Sequence, residues 1–362
     1  MVDLGIIGLE RSGKTLFFNA VTGRSVAVGG FAGGKPNVGV AHVPDPRLDA
    51  VAQIVQPKKK TYAEVRWVDY PAGFGAGAPG AQFLAELAGM DALVHVVRGF
   101  EDPAVPHPLE SVDAARDLES LDLELAFVDL ALIERRLERI AAEERSVRAA
   151  ERGALARDRT LLLRLRQQLE GGTPVRAIAL DDDERRQLAQ YQFVTRVPLL
   201  PVLNIGEDDV GRGAELEAAF DAAGSAQNAP AVALCARLEA EVASLEPEEA
   251  AEFRAGLGLE GQPPLDRAIR TAYEALGLIT FFTAGDTECR AWALPRGESA
   301  LAAAGRVHSD IERGFIRAEV AGWQDLLDAG SYANMRSQGR LRTEGKTYEV
   351  QDGDVINVLF NV

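Results

Sequence analysis

Residues 8–15 read Gly8-Leu9-Glu10-Arg11-Ser12-Gly13-Lys14-Thr15, directly after the apolar run LGIIG at 4–8 and directly before the apolar stretch LFFNAV at 16–21. Gly-x-x-x-x-Gly-Lys-Thr between a short strand and a helix is the pattern of a loop that cradles phosphates. Each residue type has a task in it. Glycine lets backbone N–H groups curl round an anion, the lysine ammonium neutralises β- and γ-phosphate oxygens, and the threonine hydroxyl is a hard ligand for Mg²⁺. The helix behind the loop adds its positive end. The spacing therefore assigns Glu10, Arg11, Ser12, Gly13, Lys14, Thr15 and Leu16 to a nucleotide-binding loop, with a nucleoside triphosphate as ligand and Mg²⁺ as its companion.

Outward from this loop, short β-branched or apolar runs recur: GVAHV at 39–43, EVRWVD at 64–69, ALVHVVR at 92–98, VPLLPVL at 197–203 and AVALC at 231–235. Several are apolar on both faces, as strands covered by helices on each side must be. Helical patterns separate most of them, so the fold class is α/β with a doubly wound sheet. Asp69 ends one of these strands and is a candidate Mg²⁺ partner through water. The competing reading is a strand-terminal aspartate that caps the next turn. Asn204, Ile205 and Glu207 end another strand, where the base should be read. Asn204 is expected to hold the loop by side-chain hydrogen bonds, while Glu207 stands where GTPases place an aspartate that accepts two hydrogen bonds from guanine. Its extra methylene displaces the acceptor, and guanine selectivity is expected to be lost.

One gap is too long for a simple crossover. Between 98 and 197, Leu118, Leu121, Leu125, Val128 and Leu132 step by three and four, a helical seam. A second run, Leu155, Leu162, Leu165 and Leu169, stops at Gly171-Gly172-Thr173-Pro174. The pattern predicts an inserted antiparallel helical hairpin over 113–172, flanked by the two parts of the α/β domain, 1–112 and 173–276. Residues 131–170 hold ten arginines against seven acidic residues. A salt-bridged solvated helix face and a nucleic-acid surface both fit that pattern. From 277 to 362 alternating segments (LITFFTA, CRAWAL, KTYEV, VINVLFNV), a helical stretch near 299–305 and turns at Ala284-Gly285-Asp286 and Asp352-Gly353-Asp354 predict a compact α+β domain.

The whole chain has 362 residues, with 39 Lys+Arg against 55 Asp+Glu and a net charge of -16. Such a chain is repelled by nucleic acid and by anionic membranes unless its basic residues are segregated. Cys235 and Cys289 stand far apart without a CxxC pair, which excludes a disulfide framework and a cysteine zinc site and fits a reducing cytosol. The start of the chain lacks a basic segment before its short apolar run, and no stretch approaches the ~18 apolar residues of a membrane span. His42, His95, His107 and His308 are not spaced as metal ligands. Lys58-Lys59-Lys60 reads as a solvated loop. Arg336, Arg340, Arg342 and Lys346 read equally as an RNA-facing loop surface or as dispersed charge.

With GLERSGKT, PNVGVAHVPDPRLD at 36–49, DALVHVVRGFEDP at 91–103, LNIGE at 203–207, ARLEAEVASLEPEE at 236–249 and LGLITFFTAGDTECRAW at 276–292, the chain resembles the YchF family of Obg-like ATPases, collinearly over essentially its full length. HSDIERGFIRAEV at 308–320 and EGKTYEVQDGDVINVLFNV at 344–362 resemble the TGS domain that ends those proteins. The resemblance implies a P-loop GTPase-like domain, an inserted helical hairpin and a C-terminal ubiquitin-like β-grasp domain. It also implies ATP in preference to GTP, Mg²⁺, a cytoplasmic location, and contact with the ribosome or ribosomal RNA through the helical arm and the TGS-like domain, without membrane or sequence-specific DNA binding. Gly8, Gly13, Lys14 and Thr15 match the family's phosphate loop, Asp69 its magnesium-side acid, and Asn204 with Glu207 its altered base motif. Cys235-Ala236 stands where the family has Ser-Ala, which leaves a backbone N–H for the base.

The switch regions depart from the pattern. Gly33 replaces the threonine of the first switch, and Asp69-Tyr70-Pro71-Ala72-Gly73 is one residue longer before its glycine than the family's second switch, with Pro71 removing a donor. The loop up to Gln82 is shorter, and Phe74 places an apolar residue where ordinary GTPases orient water. Hydrolysis would rest on positioning and electrostatics. The expectation is an ATP-binding, weakly hydrolysing nucleotide-dependent switch. Two alternatives stay open, a scaffold that docks RNA or protein constitutively with nucleotide as a structural ligand, and a GTP-binding protein.

Overall fold

A computed structural model describes residues 2–28, 35–70, 74, 80–145, 149–223, 230–259 and 261–361. Strands β1 (Val2–Ile7), β2 (Asn37–His42), β3 (Lys59–Thr61), β4 (Glu64–Asp69), β5 (Ala92–Gly99), β6 (Leu199–Ile205) and β7 (Val232–Leu234) precede the C-terminal strands β8 (Leu278–Ala284), β9 (Glu288–Pro295), β10 (Phe315–Gly322), β11 (Arg342–Glu344) and β12 (Asp354–Phe360). The first sheet runs β2-β4-β1-β5-β6-β7. Its centre is parallel, with Leu4 opposite Ala92, Leu93 opposite Leu199 and Val202 opposite Val232. Every residue of β6 is buried, and its first five, Leu199–Leu203, form a continuous apolar run without alternation. Helix α1 (Lys14–Thr22) buries Phe17 and Phe18, and Phe17 meets Trp67 edge-on at 5.6 Å. Each such fully buried side chain contributes roughly 1.5–3 kcal/mol. This is the expected doubly wound α/β sheet.

The chain forms two compact units. One contains Val2–Gly39 and Arg66–Ala272, the other Val40–Val65 and Tyr273–Val362. In the second unit, hairpin β8–β9, helix Ala300–Val307 and β10 lead to β12, which lies beside β8 in parallel and beside β10 antiparallel. That is a β-grasp topology, and the sheet order is β11-β10-β12-β8-β9-β3. Its core holds Ile279, Phe281, Leu294, Phe315, Val320 and Ile356. Helix α2 (Pro46–Val55), capped by the Asp45 side chain, packs on β8 and β9 of the same unit. The division at residues 112 and 277 drawn from sequence thus differs for 40–65, which the α/β part of the chain lends to the C-terminal unit.

Other local readings need correction. Lys59 and Lys60 are not in a loop. They form β3, paired in parallel with Glu288 and Cys289 of β9, and their exposed ammonium groups guard a sheet edge. KTYEV is not a strand beyond the single bridge Ser299–Glu349, because Arg342–Glu344 takes the pairing with β10. Helices Trp323–Ala329 and Tyr332–Ser337 had no sequence signal strong enough to be read. The C-terminal arginines are dispersed and paired: Arg336 with Glu319, Arg340 near Asp325 and Asp328, and Arg342 with Asp354.

Helix α3 (Ala81–Ala88) follows β4, and the hairpin consists of α4 (Ala114–Glu143) and α5 (Ala149–Glu170). Asp113 caps α4 through the Arg116 N–H, and Gly172 at φ 80° lets Thr173 bond back to the Gln168 carbonyl beyond the end of α5. The seam holds at Leu118, Leu121 and Leu125, Val128 and Leu132 pack partly buried against the core, and the fully buried stripe drifts to Ala126, Asp129, Ile133 and Ile140, as a 3.6-residue helix does against a 3.5-residue repeat. Asp129 turns inward because it accepts from the backbone N–H of Val194 and Thr195 and from the Thr195 hydroxyl, at 2.9, 2.8 and 2.6 Å. Among the described residues no helix is long and apolar enough to cross a membrane.

Candidate nucleotide site

The loop leaves β1 through Gly8 at φ 148° and enters α1 through Gly13 at φ 98°. Both positions require glycine. A Cβ on Gly8 would lie 2.4 Å from the Val96 carbonyl oxygen, and one on Gly13 would lie 2.2 Å from the Asn204 side-chain nitrogen. Arg11 between them is left-handed at φ 63°, a strained choice for a residue with a Cβ. Its guanidinium donates to the Pro106 carbonyl at 3.1 Å, which ties the phosphate loop to the segment after β5. Ser12 is buried, and its hydroxyl has no partner among the described residues.

Lys14 folds back over the loop and donates to the carbonyls of Gly8 at 3.0 Å and Leu9 at 2.8 Å. Burial pulls its pKa down to about 8, against the opposing pull of Asp69 and Glu10. A cation desolvated in this way gains from an arriving anion. Helix α1 opens with no side-chain cap and no acidic residue in its first turn, so the amides of Lys14, Thr15 and Leu16 and the helix dipole are uncompensated.

On the metal side, the Thr15 hydroxyl and the Asn37 side-chain amide both donate to Oδ2 of Asp69, each at 3.1 Å. Oδ1 of Asp69 is buried without a partner among the described residues. Burial raises the Asp69 pKa, and the bonds from Asn37 and Thr15 and the charge of Lys14 oppose that rise. A hydroxyl and a carboxylate beside a phosphate loop are the hard oxygen donors Mg²⁺ selects, and a metal-bound water would satisfy the orphaned oxygen. Thr15 and Asp69 therefore fit the ion, and it would arrive with the phosphates.

On the base side, Asn204 joins two loops. Its Nδ2 donates to the Ser12 carbonyl at 2.9 Å and its Oδ1 accepts from the Ala236 N–H at 2.9 Å. Ala236 begins helix Ala236–Val242, which packs on α1. Cys235 caps that helix, and burial raises the pKa of its thiol, so it packs as a small apolar residue. Ile205 is buried at the end of β6, whereas Glu207 begins a 3-10 turn with its side chain 55% exposed and 3.3 Å from Arg237 Nε. Hydrogen bonds thus link the loop 8–16 directly to Asp69 and Asn204, and through Asn204 to Cys235–Ala236.

Gly33 and residues 71–73, which carry the two switch departures, lie outside the described residues. Phe74 is a core residue: its backbone bridges to Leu9 and its ring packs on Phe83 at 5.7 Å. Three features escaped the sequence reading. Asn37 lies in PNVGV, but nothing local ties it to Asp69. Arg98, at the end of β5, is buried with its Nε donating to the Phe100 carbonyl and its Nη1 without a partner among the described residues. The His107 ring accepts from the Leu109 N–H and shares a 2.8 Å bond with Asp117, both side chains nearly inaccessible. The remaining histidines do not join it, and both nitrogens of His95 are buried without a partner among the described residues.

The family model YchF-GTPase_C, described as a protein of unknown function, matches residues 278–361. The ribosome-binding ATPase YchF of Bacillus subtilis is 38% identical over 99% of each chain, and that of Escherichia coli O157:H7 is 37% identical, again over 99% of each. The solved structure of the Schizosaccharomyces pombe YchF GTPase superposes with a TM-score of 0.84 at 28% identity, covering 99% of this chain and 97% of that one.

Proposed function

The chain belongs to the YchF family, and from that premise we propose that it is a cytoplasmic ATP-binding protein that associates with the ribosome and changes its affinity for that partner with its nucleotide state. The observation that carries nucleotide binding is Lys14, half-buried, lowered in pKa and resting on the Gly8 and Leu9 carbonyls beside an uncapped helix start and the Thr15–Asp69 pair. Mg²⁺ bound by Thr15 and Asp69 with the phosphates supplies charge neutralisation at the β- and γ-oxygens. Adenine is favoured over guanine because Glu207 is exposed and engaged by Arg237, which leaves no aimed carboxylate for the guanine N–H groups.

Ribosome association extends to this chain what the bacterial relatives' names say of them, and the helical arm and the β-grasp domain are the surfaces for it. Hydrolysis is slow in this reading, because Gly33 offers no hydroxyl and Pro71 no N–H to the γ-phosphate. Calorimetric titration with non-hydrolysable ATP and GTP analogues plus Mg²⁺, with Lys14→Ala as control, tests the binding. Lys14-dependent ATP-analogue binding with much weaker GTP-analogue binding is expected, and binding of neither would overturn the reading. Cosedimentation with ribosomes, with and without the ATP analogue, tests the switch. Single-turnover hydrolysis as fast as in an ordinary family member would overturn the slow step.

A further inference from the structure

Asp69 is 1% exposed, and its two oxygens have different surroundings. Oδ2 takes two donors, the Thr15 hydroxyl from α1 and the Asn37 amide from the first residue of β2, while Oδ1 has none among the described residues. A carboxylate held on one side by two fixed donors cannot rotate freely, and it keeps its other oxygen available to a single further donor. We propose that Asn37 is a positioning residue for magnesium: by holding Oδ2 it reserves Oδ1 of Asp69 for a metal-bound water, and it makes the start of β2 part of the shell around the ion. This rests on the nucleotide-binding reading above. Gly33 brings no hydroxyl, and the Asn37 contact with Asp69 does not depend on the first switch having a side-chain ligand.

Thr15 alone restrains the carboxylate by a single hydrogen bond to Oδ2. The Asn37 amide adds a second donor to the same oxygen, from strand β2, and so strengthens the hold on Oδ2. Partners of this kind, which orient a ligand without touching the metal, typically change metal affinity by about 10–100-fold when removed.

The test is titration of the protein with a fluorescent non-hydrolysable ATP analogue, in excess Mg²⁺ and in EDTA, for the wild type, Asn37→Ala and Asn37→Asp. The first variant deletes the donor, and the second keeps the shape but turns an oxygen towards Asp69. The quantity read is the ratio of the two dissociation constants, the magnesium coupling. Both variants are expected to keep the EDTA affinity within about twofold while the coupling falls about tenfold or more. Wild-type coupling in both variants would overturn the proposal. So would an equal loss of affinity with and without Mg²⁺, which marks a residue that merely supports the fold. If the wild type itself fails to bind the analogue, the nucleotide-binding reading falls and this one with it, whereas a wild type that binds with strong coupling makes any loss in the variants specific to Asn37.

Discussion

Replacing Asn204 by alanine should loosen the phosphate loop and the Cys235–Ala236 junction together. The side chain is buried and makes two 2.9 Å hydrogen bonds, to the Ser12 carbonyl and from the Ala236 N–H, and Ala236 is itself inaccessible. Alanine leaves one acceptor and one donor buried without partners, each costing about 1–3 kcal/mol. Relaxation of the exposed neighbour Arg11 recovers part of this, so about 3 kcal/mol is the expected local loss, roughly a hundredfold in an opening equilibrium. Hydrogen exchange followed by mass spectrometry measures it directly. The amides of Phe17, bonded to Gly13, and Glu239, bonded to Cys235, should exchange roughly a hundredfold faster, while Met335, bonded to Ser331 in the other unit, should not change. Asn204→Asp sharpens the test. Ionised, it turns an oxygen against the Ser12 carbonyl; protonated, its O–H replaces the lost donor, so its defect should shrink as pH falls. Unchanged protection at Phe17 and Glu239 in Asn204→Ala would refute the idea that this amide holds the two loops together.

Arg11 occupies left-handed space at φ 63°, so Arg11→Asn should raise the thermal midpoint, with a gain of about 1 kcal/mol set against a partly exposed bond to Pro106; a lowered midpoint would show that the Pro106 bond outweighs the strain. Ser12→Ala removes a buried hydroxyl without a partner and should stabilise by about 1 kcal/mol in denaturant titration, whereas destabilisation would reveal a hidden acceptor. Burial pushes the Asp129 carboxyl up to about 6 despite its three donors. A folded pKa above the unfolded value near 4 means that the stabilisation from its proton is present at low pH and is lost as pH rises through about 6. The wild type should therefore gain about 1 kcal/mol of stability relative to Asp129→Asn between pH 7 and pH 5, and a difference that stays constant or moves the other way would contradict the assignment.

What could be read in the sequence follows from how local each feature is. The loop 8–15 is legible because glycine conformation, lysine charge and threonine hydroxyl are properties of eight successive residues, and β6 because burial on both faces leaves the apolar run 197–203 ahead of Asn204. Strand β3 is the opposite case. Three residues, two of them lysine, carry no hydrophobic period, and the strand exists only because Glu288–Arg290, more than two hundred residues later, offers an open edge. The hairpin shows an intermediate case: the heptad steps locate α4, but they cannot foresee that Asp129 is buried beside Val128, since the donors that hold it come from Val194 and Thr195. Asn37 belongs to the same class. Its position in PNVGV marks it as part of a motif, yet its role depends on where β4 ends, thirty-two residues on, and on which oxygen of Asp69 Thr15 has already taken. A polar residue is readable from sequence when its partner is within a helical turn or a tight loop. When the partner is supplied by another strand, the chemistry appears only once the sheet order has put the two ends side by side.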